Sequence, residues 1–137
     1  KKSLLLIPYF GWYLNKIVSI SIKRNKITND NLSFFHDINK VIQNSSRPLI
    51  IFPQGTRVNP DERPPFKKGA GRIYEELKIS CQPIAINSGY VWPKKGVKKP
   101  NKKIIISILP AFNSRLDKNE FIKSLEKKIY FELDRIN

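Results

Sequence analysis

The sequence predicts an α/β domain in which helices flank a mixed, largely buried sheet. Short apolar runs of strand length alternate along the chain with segments whose apolar residues recur at helical spacing. Hydrophobic residues make up 40% of the 137 residues, which is enough for one packed core. We find no internal repeat and no low-complexity linker, so residues 1–137 are interpreted as a single domain.

The predicted strands are short, apolar and bounded by proline, glycine or polar residues. Pro8 ends the first of them, and the third leads directly into Pro53 and Gly55. A half-exposed strand is indicated where Ile20 and Ile22 alternate with polar residues. The predicted strands cover residues 4–7, 20–22, 48–52, 83–87 and 104–109.

The clearest predicted helix begins after Asp117, which can cap it, and Glu120 occupies the capping-box position. Its apolar residues recur every three or four positions, as on one face of a helix. They are Phe121, Leu125, Ile129, Leu133 and Ile136. Further helices are predicted over residues 11–18, 31–44 and 69–77.

The charge balance points to a polyanionic partner. The chain has 26 Lys and Arg against 11 Asp and Glu, a net charge of +15. No acid occurs between residues 77 and 116, where Trp92 precedes a lysine-rich segment. That segment suits either a solvated loop or the surface of an anionic bilayer. A nucleic-acid partner is not expected, because helix-turn-helix, zinc-ligand and RNA-binding strand patterns are missing from the sequence.

Several classes of protein are not supported by the sequence. A single cysteine, Cys81, cannot form an internal disulfide, and it is interpreted as a small buried hydrophobe. No apolar run reaches the ~18–20 residues that cross a bilayer. No spacing of His, Cys and carboxylates indicates a metal site. The chain begins at Lys1 and contains no Met, so we expect that its natural start is missing.

The segment richest in candidate binding groups follows the strand predicted over residues 48–52. The chain there turns at Gly55, which allows close approach of a ligand, and Thr56 and Arg57 follow. A guanidinium matches a phosphate through two parallel hydrogen bonds. Lys67 and Lys68 then precede a predicted helix, whose N-terminus also favours anions. An incidental surface turn is the alternative interpretation of the same residues.

Residues 52–57 resemble the FPEGTR motif of the glycerophospholipid acyltransferase family, in particular its 1-acylglycerol-3-phosphate acyltransferases. Residues 7–12 are similar to the IPFFG segment of that family, and residues 66–69 to its FKxG element. Residues 82–85 resemble its fourth motif, and Arg24 matches the arginine of its second motif. Ordered elements at the family's spacing are more specific than any one of them alone.

The resemblance, which covers residues 4–112, implies a glycerolipid acyltransferase-like fold and acyl transfer from a thioester to a lysophospholipid hydroxyl. In the family a histidine, held by an aspartate in an HxxxxD motif, takes the hydroxyl proton. The resemblance assigns binding of the acceptor's phosphate to Arg24, Gly55, Thr56, Arg57 and Lys68. It assigns support of the motifs to Phe52, Pro53, Gln54 and Pro83.

This sequence departs from the family at two places. The HxxxxD motif is absent, because the only histidine is His36 and the residue five positions on is Val41. His36 is interpreted as a surface residue, so we expect no catalytic residue in this chain and a domain incomplete at its N-terminus. Gln54 replaces the usual motif glutamate, and Ser21 and Lys23 also differ from the family pattern.

The resemblance implies an enzyme that acylates the sn-2 hydroxyl of lysophosphatidic acid in phospholipid biosynthesis. Acyl-CoA or acyl-acyl carrier protein would be the co-substrate, with no resident cofactor. The expected location is the cytoplasmic face of the inner membrane, peripheral or anchored by an upstream segment, on an anionic surface. The alternative is a non-catalytic module that binds anionic lipid or another polyanion.

Overall fold

The computed structural model describes residues 6–16, 30–45, 48–113 and 115–137. Seven elements follow one another within these described residues, and the mixture of helices with a small sheet confirms the α/β class. The chain divides into two compact units, residues 1–50 and residues 51–137. The helices are α1 (Phe10–Lys16), α2 (Asp30–Gln43), α3 (Lys68–Leu77), α4 (Ser88–Val91) and α5 (Lys118–Ile136), and the strands are β1 (Ile84–Ile86) and β2 (Ile106–Ile108).

The first unit contains α1 and α2, close to the helices predicted over residues 11–18 and 31–44. Helix α1 begins in a tight turn in which the amide of Gly11 donates to the carbonyl of Ile7 at 2.7 Å. Helix α2 buries Ile38 and exposes His36, as its amphipathic pattern predicts. The strand predicted over residues 20–22 lies outside the described residues.

The core of the second unit forms between α3 and α5. The rings of Tyr74 and Phe121 stack with centroids 3.8 Å apart, and Phe112 meets Phe121 edge-on at 5.5 Å. Phe66 and Leu125 complete this buried cluster. Aromatic groups supply most of its apolar area, which explains how so small a unit forms a core.

Helix α5 begins where the sequence predicts it to begin. The side chain of Asp117 accepts hydrogen bonds from the amides of Asn119, at 2.7 Å, and Glu120, at 3.3 Å. These are two of the amides that have no partner within the helix, so the carboxylate fixes the first turn. Phe121 and Leu125 then face the core, four residues apart, as the predicted apolar stripe requires.

The sheet differs from the largely buried sheet that the sequence predicts. Strands β1 and β2 pair antiparallel, with Ala85 opposite Ser107. Ala85 is fully buried, whereas Ile84 and Ile86 are 50% and 42% exposed, so the residues of β1 alternate in burial. An apolar run without alternation predicts burial on both faces, and only the tertiary packing shows that one face is covered.

The strand predicted over residues 48–52 is wrong, and the described part of the strand predicted over residues 4–7 is a turn. Leu6 and Ile7 lie in an exposed turn that leads into α1, and residues 4 and 5 lie outside the described residues. Residues 48–52 do not form a strand, and Ile50 and Phe52 are each more than three-quarters exposed. Apolar runs of this length suit a strand only when a neighbouring strand supplies backbone partners, which a local pattern cannot reveal.

The contact between α3 and α5 depends on Gly71. A Cβ at this position would lie 2.7 Å from Ile122 Cγ1 and 2.7 Å from the carbonyl oxygen of Lys118. A Cβ at Gly69, in the same helix, would meet no atom within 4 Å. Ile122 and Lys118 therefore approach α3 more closely at Gly71 than any larger residue would permit.

The buried carboxylate of Glu132 joins α5 to β2. It accepts from the Ser107 hydroxyl at 2.5 Å, and from Nη2 of Arg135 at 2.6 Å and Nε at 2.8 Å. The hydrogen bonds from Arg135 first, and then from Ser107, lower the pKa of Glu132 from its usual 4.5 to about 2. The carboxylate therefore stays ionised at a buried position where an apolar residue is more usual, because its hydrogen bonds compensate for the loss of water.

We expect Gly71→Ala to lower the free energy of unfolding by about 1–3 kcal/mol, because the methyl group would push α5 away from α3. Gly69→Ala is the matched control, since it adds the same methyl to the same helix in open space. It should leave stability unchanged or raise it by up to ~1 kcal/mol. Urea denaturation measures both variants, and equal effects of the two would contradict the close contact.

We expect Glu132→Gln to lower stability at neutral pH by an amount that shrinks as the solution becomes acidic. The lowered pKa means that the carboxylate's contribution is complete above about pH 4.5 and is lost as the pH falls toward 2. Urea denaturation at several pH values between 7 and 2.5 measures this difference. Glu76→Gln, at an exposed site on α3, is the control, and a difference independent of pH would refute the role of the ion pair.

Candidate functional site

The segment from Phe52 to Arg57 forms a tight turn in which glycine is the residue best suited to position 55. The amide of Gly55 donates to the carbonyl of Phe52 at 3.0 Å, and Gly55 has a φ of 71°. A side chain there would adopt a left-handed conformation, and its Cβ would lie 3.3 Å from Lys67 Cγ. The glycine therefore lets the turn lie directly against the side chain of Lys67.

A backbone hydrogen bond brings residues 53 and 67 together. The amide of Lys67 donates to the carbonyl of Pro53 at 2.8 Å, although fourteen positions separate the two residues. Lys68 follows as the first residue of α3. The turn and the start of α3 are thus joined through the backbone, where helix amides add positive potential.

The side chains predicted to bind phosphate are available to a ligand. Thr56, Arg57 and Lys68 are all exposed. Within the described part of the chain, the side chains of Arg57 and Lys68 make no hydrogen bond or ion pair. Arg24 lies outside the described residues, so its position relative to the turn is not part of this geometry.

Gln54 points toward α5. Its Nε2 donates to the hydroxyl of Tyr130 at 3.4 Å, and that hydroxyl donates to the carbonyl of Pro64 at 2.5 Å. Because the Tyr130 proton is directed to Pro64, the tyrosine oxygen is left to accept, which suits an amide donor. A glutamate at position 54 would lack that donor. The glutamine is therefore matched to its partner.

Residues 58–67 form the loop between the turn and α3, and three side chains on one face of α5 hold it. Glu126 Oε2 accepts from the Phe66 amide at 2.6 Å, and Asp134 Oδ1 accepts from Arg63 Nη2 at 2.5 Å. Tyr130 lies between them, and the spacing of four residues places all three on the same face of the helix. The loop therefore has a fixed backbone although it has no secondary structure of its own.

Arg63 and Tyr130 also contact each other. The guanidinium of Arg63 lies 5.5 Å from the Tyr130 ring centroid, and Phe66 meets the same ring edge-on at 5.1 Å. The hydrogen bond to Asp134 raises the pKa of Arg63, and burial raises the pKa of Tyr130. Both groups therefore keep their protons, and with them the donors that hold the loop.

Sequence reasoning did not identify Glu126, Tyr130, Asp134 or Arg63 as site residues. A signal was present, since Glu126, Tyr130 and Asp134 recur every fourth residue beside the apolar stripe of α5. Their partners lie about sixty to seventy positions earlier in the chain, so spacing alone could not connect them.

Pro83 has a different role in the structure from the turn residues. It is buried immediately before β1, and its carbonyl accepts from the amide of Leu109 at 3.0 Å. This bond extends the antiparallel pairing beyond β1 and β2. The fourth-motif proline thus supports the sheet, and no hydrogen bond among the described residues connects it to the turn.

The remaining reactive side chains do not form a catalytic or metal site in the described residues. Cys81 is half-buried, and burial raises the pKa of its thiol, which opposes formation of a nucleophilic thiolate. His36 is exposed on α2. Among the residues that the structure describes, no three His, Cys, Asp or Glu side chains gather as metal ligands.

Comparison with curated proteins gives relatives over nearly the whole chain. The 1-acyl-sn-glycerol-3-phosphate acyltransferase of Pseudomonas aeruginosa (strain PAO1) is 29% identical, over 93% of this chain and 49% of its own length. The enzyme of the same name from Saccharomyces cerevisiae is 31% identical, over 93% and 43% respectively. That of Helicobacter pylori (strain J99) is 33% identical, over 98% and 60%.

The chain therefore spans about half the length of the curated relatives it matches. No solved structure matches it. The sequence profile of the Acyltransferase family matches residues 1–87, which include the turn, the loop and α3 but end before α5. The profile extends over more than half of the chain, and on that ground the chain belongs to the Acyltransferase family.

Proposed function

We propose that the protein transfers a fatty acyl group from a thioester donor to the sn-2 hydroxyl of lysophosphatidic acid. The observation that carries the proposal is the glycine turn at Gly55, bonded through Pro53 to Lys67, with Arg57 exposed beside it. Membership of the Acyltransferase family and the names of the relatives support the reaction class and the acceptor.

The turn would hold the acceptor by its phosphate. Arg57 can donate two parallel hydrogen bonds to phosphate oxygens, and Thr56 can donate a third. Gly55 would let the lipid approach the backbone, and Lys68 would add a positive charge from the start of α3. Arg24 would assist from outside the described residues. A phosphate fixed in this way positions the hydroxyl for attack on the thioester carbon.

The remaining parts of the reaction are proposed from the family. Acyl-CoA or acyl-acyl carrier protein would donate the acyl group, no resident cofactor would be needed, and phospholipid biosynthesis would be the process served. The protein would act at the cytoplasmic face of an anionic membrane, and nucleic acid would not be a partner. The general base would belong to an HxxxxD motif, which these 137 residues do not contain.

A second candidate function is a non-catalytic module that binds anionic lipid or another polyanion. The net charge of +15 favours that alternative, because positive charge attracts polyanions. The two candidates predict the same phosphate contacts at the turn and differ only in whether acyl transfer can be restored.

We expect the 137-residue chain alone to show no acyl transfer from acyl-CoA to 1-acylglycerol 3-phosphate, measured by release of the CoA thiol. Joining it to the HxxxxD-containing segment of a relative should produce turnover, because this supplies the general base. A matched fusion with Ala at the motif histidine is the control. Turnover by the unfused chain would contradict the proposal, and an inactive fusion that still binds the lipid would favour the binding module.

We expect Arg57→Ala to weaken binding of glycerol 3-phosphate by about 10- to 100-fold, which corresponds to the loss of a charged hydrogen-bonded pair. Isothermal titration calorimetry or amide chemical shifts of Gly55 and Thr56 would measure it. Arg57→Lys should lose part of the affinity, since it keeps the charge without the planar pair of donors.

Arg115→Ala is the matched control for charge. Arg115 is exposed, and its amide donates at 2.8 Å to the carbonyl of Asn113, which also accepts from Tyr74 in the second half of α3, whereas Lys68 is the first residue of that helix. This variant should bind as the unaltered chain does. Equal losses for Arg57→Ala and Arg115→Ala would show general attraction to positive charge and overturn the assignment of Arg57.

A further inference from the structure

A second positively charged surface lies outside the turn, in the segment of residues 92–103, here called the lysine loop. It begins at Trp92, directly after α4, and ends before β2. Gly96, with a φ of 102°, turns the chain within it. None of the phosphate-binding residues assigned above belongs to this loop.

The structure holds the lysine loop at its base. The amide of Lys99 donates to the carbonyl of Val91 at 2.9 Å, which closes the loop. The buried side chain of Asn87 accepts from the amide of Ile105 at 2.8 Å, and the Asn87 amide donates to the Ile105 carbonyl at 3.2 Å. The loop is therefore presented from a fixed base at the end of the two-stranded sheet.

The charges of the lysine loop are of one sign and unpaired within the described residues. All of its lysines are exposed, and none lies within 4 Å of a carboxylate in the part of the chain that the structure describes. The nearest acids along the sequence are Glu76 and Asp117. The six are Lys94, Lys95, Lys98, Lys99, Lys102 and Lys103.

Exposed apolar groups accompany these charges. Val97, next to the turn at Gly96, is 86% exposed, and Trp92 is 59% exposed. The ammonium of Lys98 lies 3.7 Å from the centroid of the Trp92 ring, so lysine and indole are part of one surface. Val97 and Trp92 therefore place exposed apolar surface among the lysines of this loop.

We infer that the lysine loop docks on an anionic lipid bilayer, with Val97 and Trp92 in the interface and the lysines among the lipid phosphates. An indole suits the headgroup level, and lysine clusters are attracted to anionic leaflets. The strength of interfacial binding increases with buried apolar area and with attraction to anionic lipids, and this loop offers both. A phosphate backbone of nucleic acid would engage the lysines but would leave Val97 in water.

This inference rests on the proposed function for the membrane location. Vesicle binding is therefore measured separately from acyl transfer, so that the docking inference and the proposed function can each fail without the other. The 137-residue chain, with Trp12→Phe so that Trp92 is the only reporter, is titrated with vesicles. We expect a blue shift of Trp92 fluorescence with vesicles that contain roughly 30% phosphatidylglycerol, because these anionic lipids give the bilayer a negative surface potential. Vesicles of pure phosphatidylcholine should give none.

Paired variants separate the loop from general charge. Lys94→Gln with Lys95→Gln should weaken binding by about 10- to 30-fold. The control pair, Lys123→Gln with Lys127→Gln, removes the same charge from exposed positions of α5 and should change binding by less than about twofold. Val97→Asp should abolish the fluorescence shift. Circular dichroism checks that every variant is folded.

Three results would overturn the inference. Equal losses for the two lysine pairs would show attraction to net charge without a docking site. Binding to duplex DNA that is tighter than to vesicles and unaffected by Val97→Asp would make nucleic acid the partner. Self-association that Val97→Asp removes, without vesicle binding, would make a second copy of the chain the occupant.

Discussion

Helix α5 lies directly against the backbone of α3 at Gly71, where a Cβ would lie 2.7 Å from Ile122 and from the carbonyl oxygen of Lys118. The stacking of Tyr74 on Phe121 depends on that approach, and so does the buried cluster around it. The same placement brings Glu132 to Ser107 of β2 and brings Tyr130 to the loop before α3. One helix packing thus sets the core, the position of the sheet and the path of the loop.

The candidate phosphate turn is the clearest example of this dependence. Its shape is local, since it comes from Gly55 and a hydrogen bond to Phe52. Its surroundings are not local, since Gln54 and the loop that follows are held by α5, which lies beyond the residues that the family profile matches. The family motif therefore accounts for the turn, and α5, outside that match, supplies its support.

Prediction from the sequence succeeded where periodicity was long or chemistry was local. The helices α2 and α5, predicted from their amphipathic patterns, and the Asp117 cap are confirmed. It failed for residues 48–52, because a strand needs a partner that no local pattern contains. The phosphate-binding roles of Arg57 and Lys68 remain predictions, and the exposure of both side chains is consistent with them.

The sequence by itself determined the α/β class, the membership of an acyltransferase family, the positive charge and the absence of an HxxxxD motif. Each of these depends on residue type and short spacing. Only the tertiary structure decided that one sheet face is covered, that Gln54 donates to Tyr130 and that α5 holds the loop. The physical reason is that these contacts join residues far apart in the chain, and burial and hydrogen-bond direction arise only when distant elements pack together.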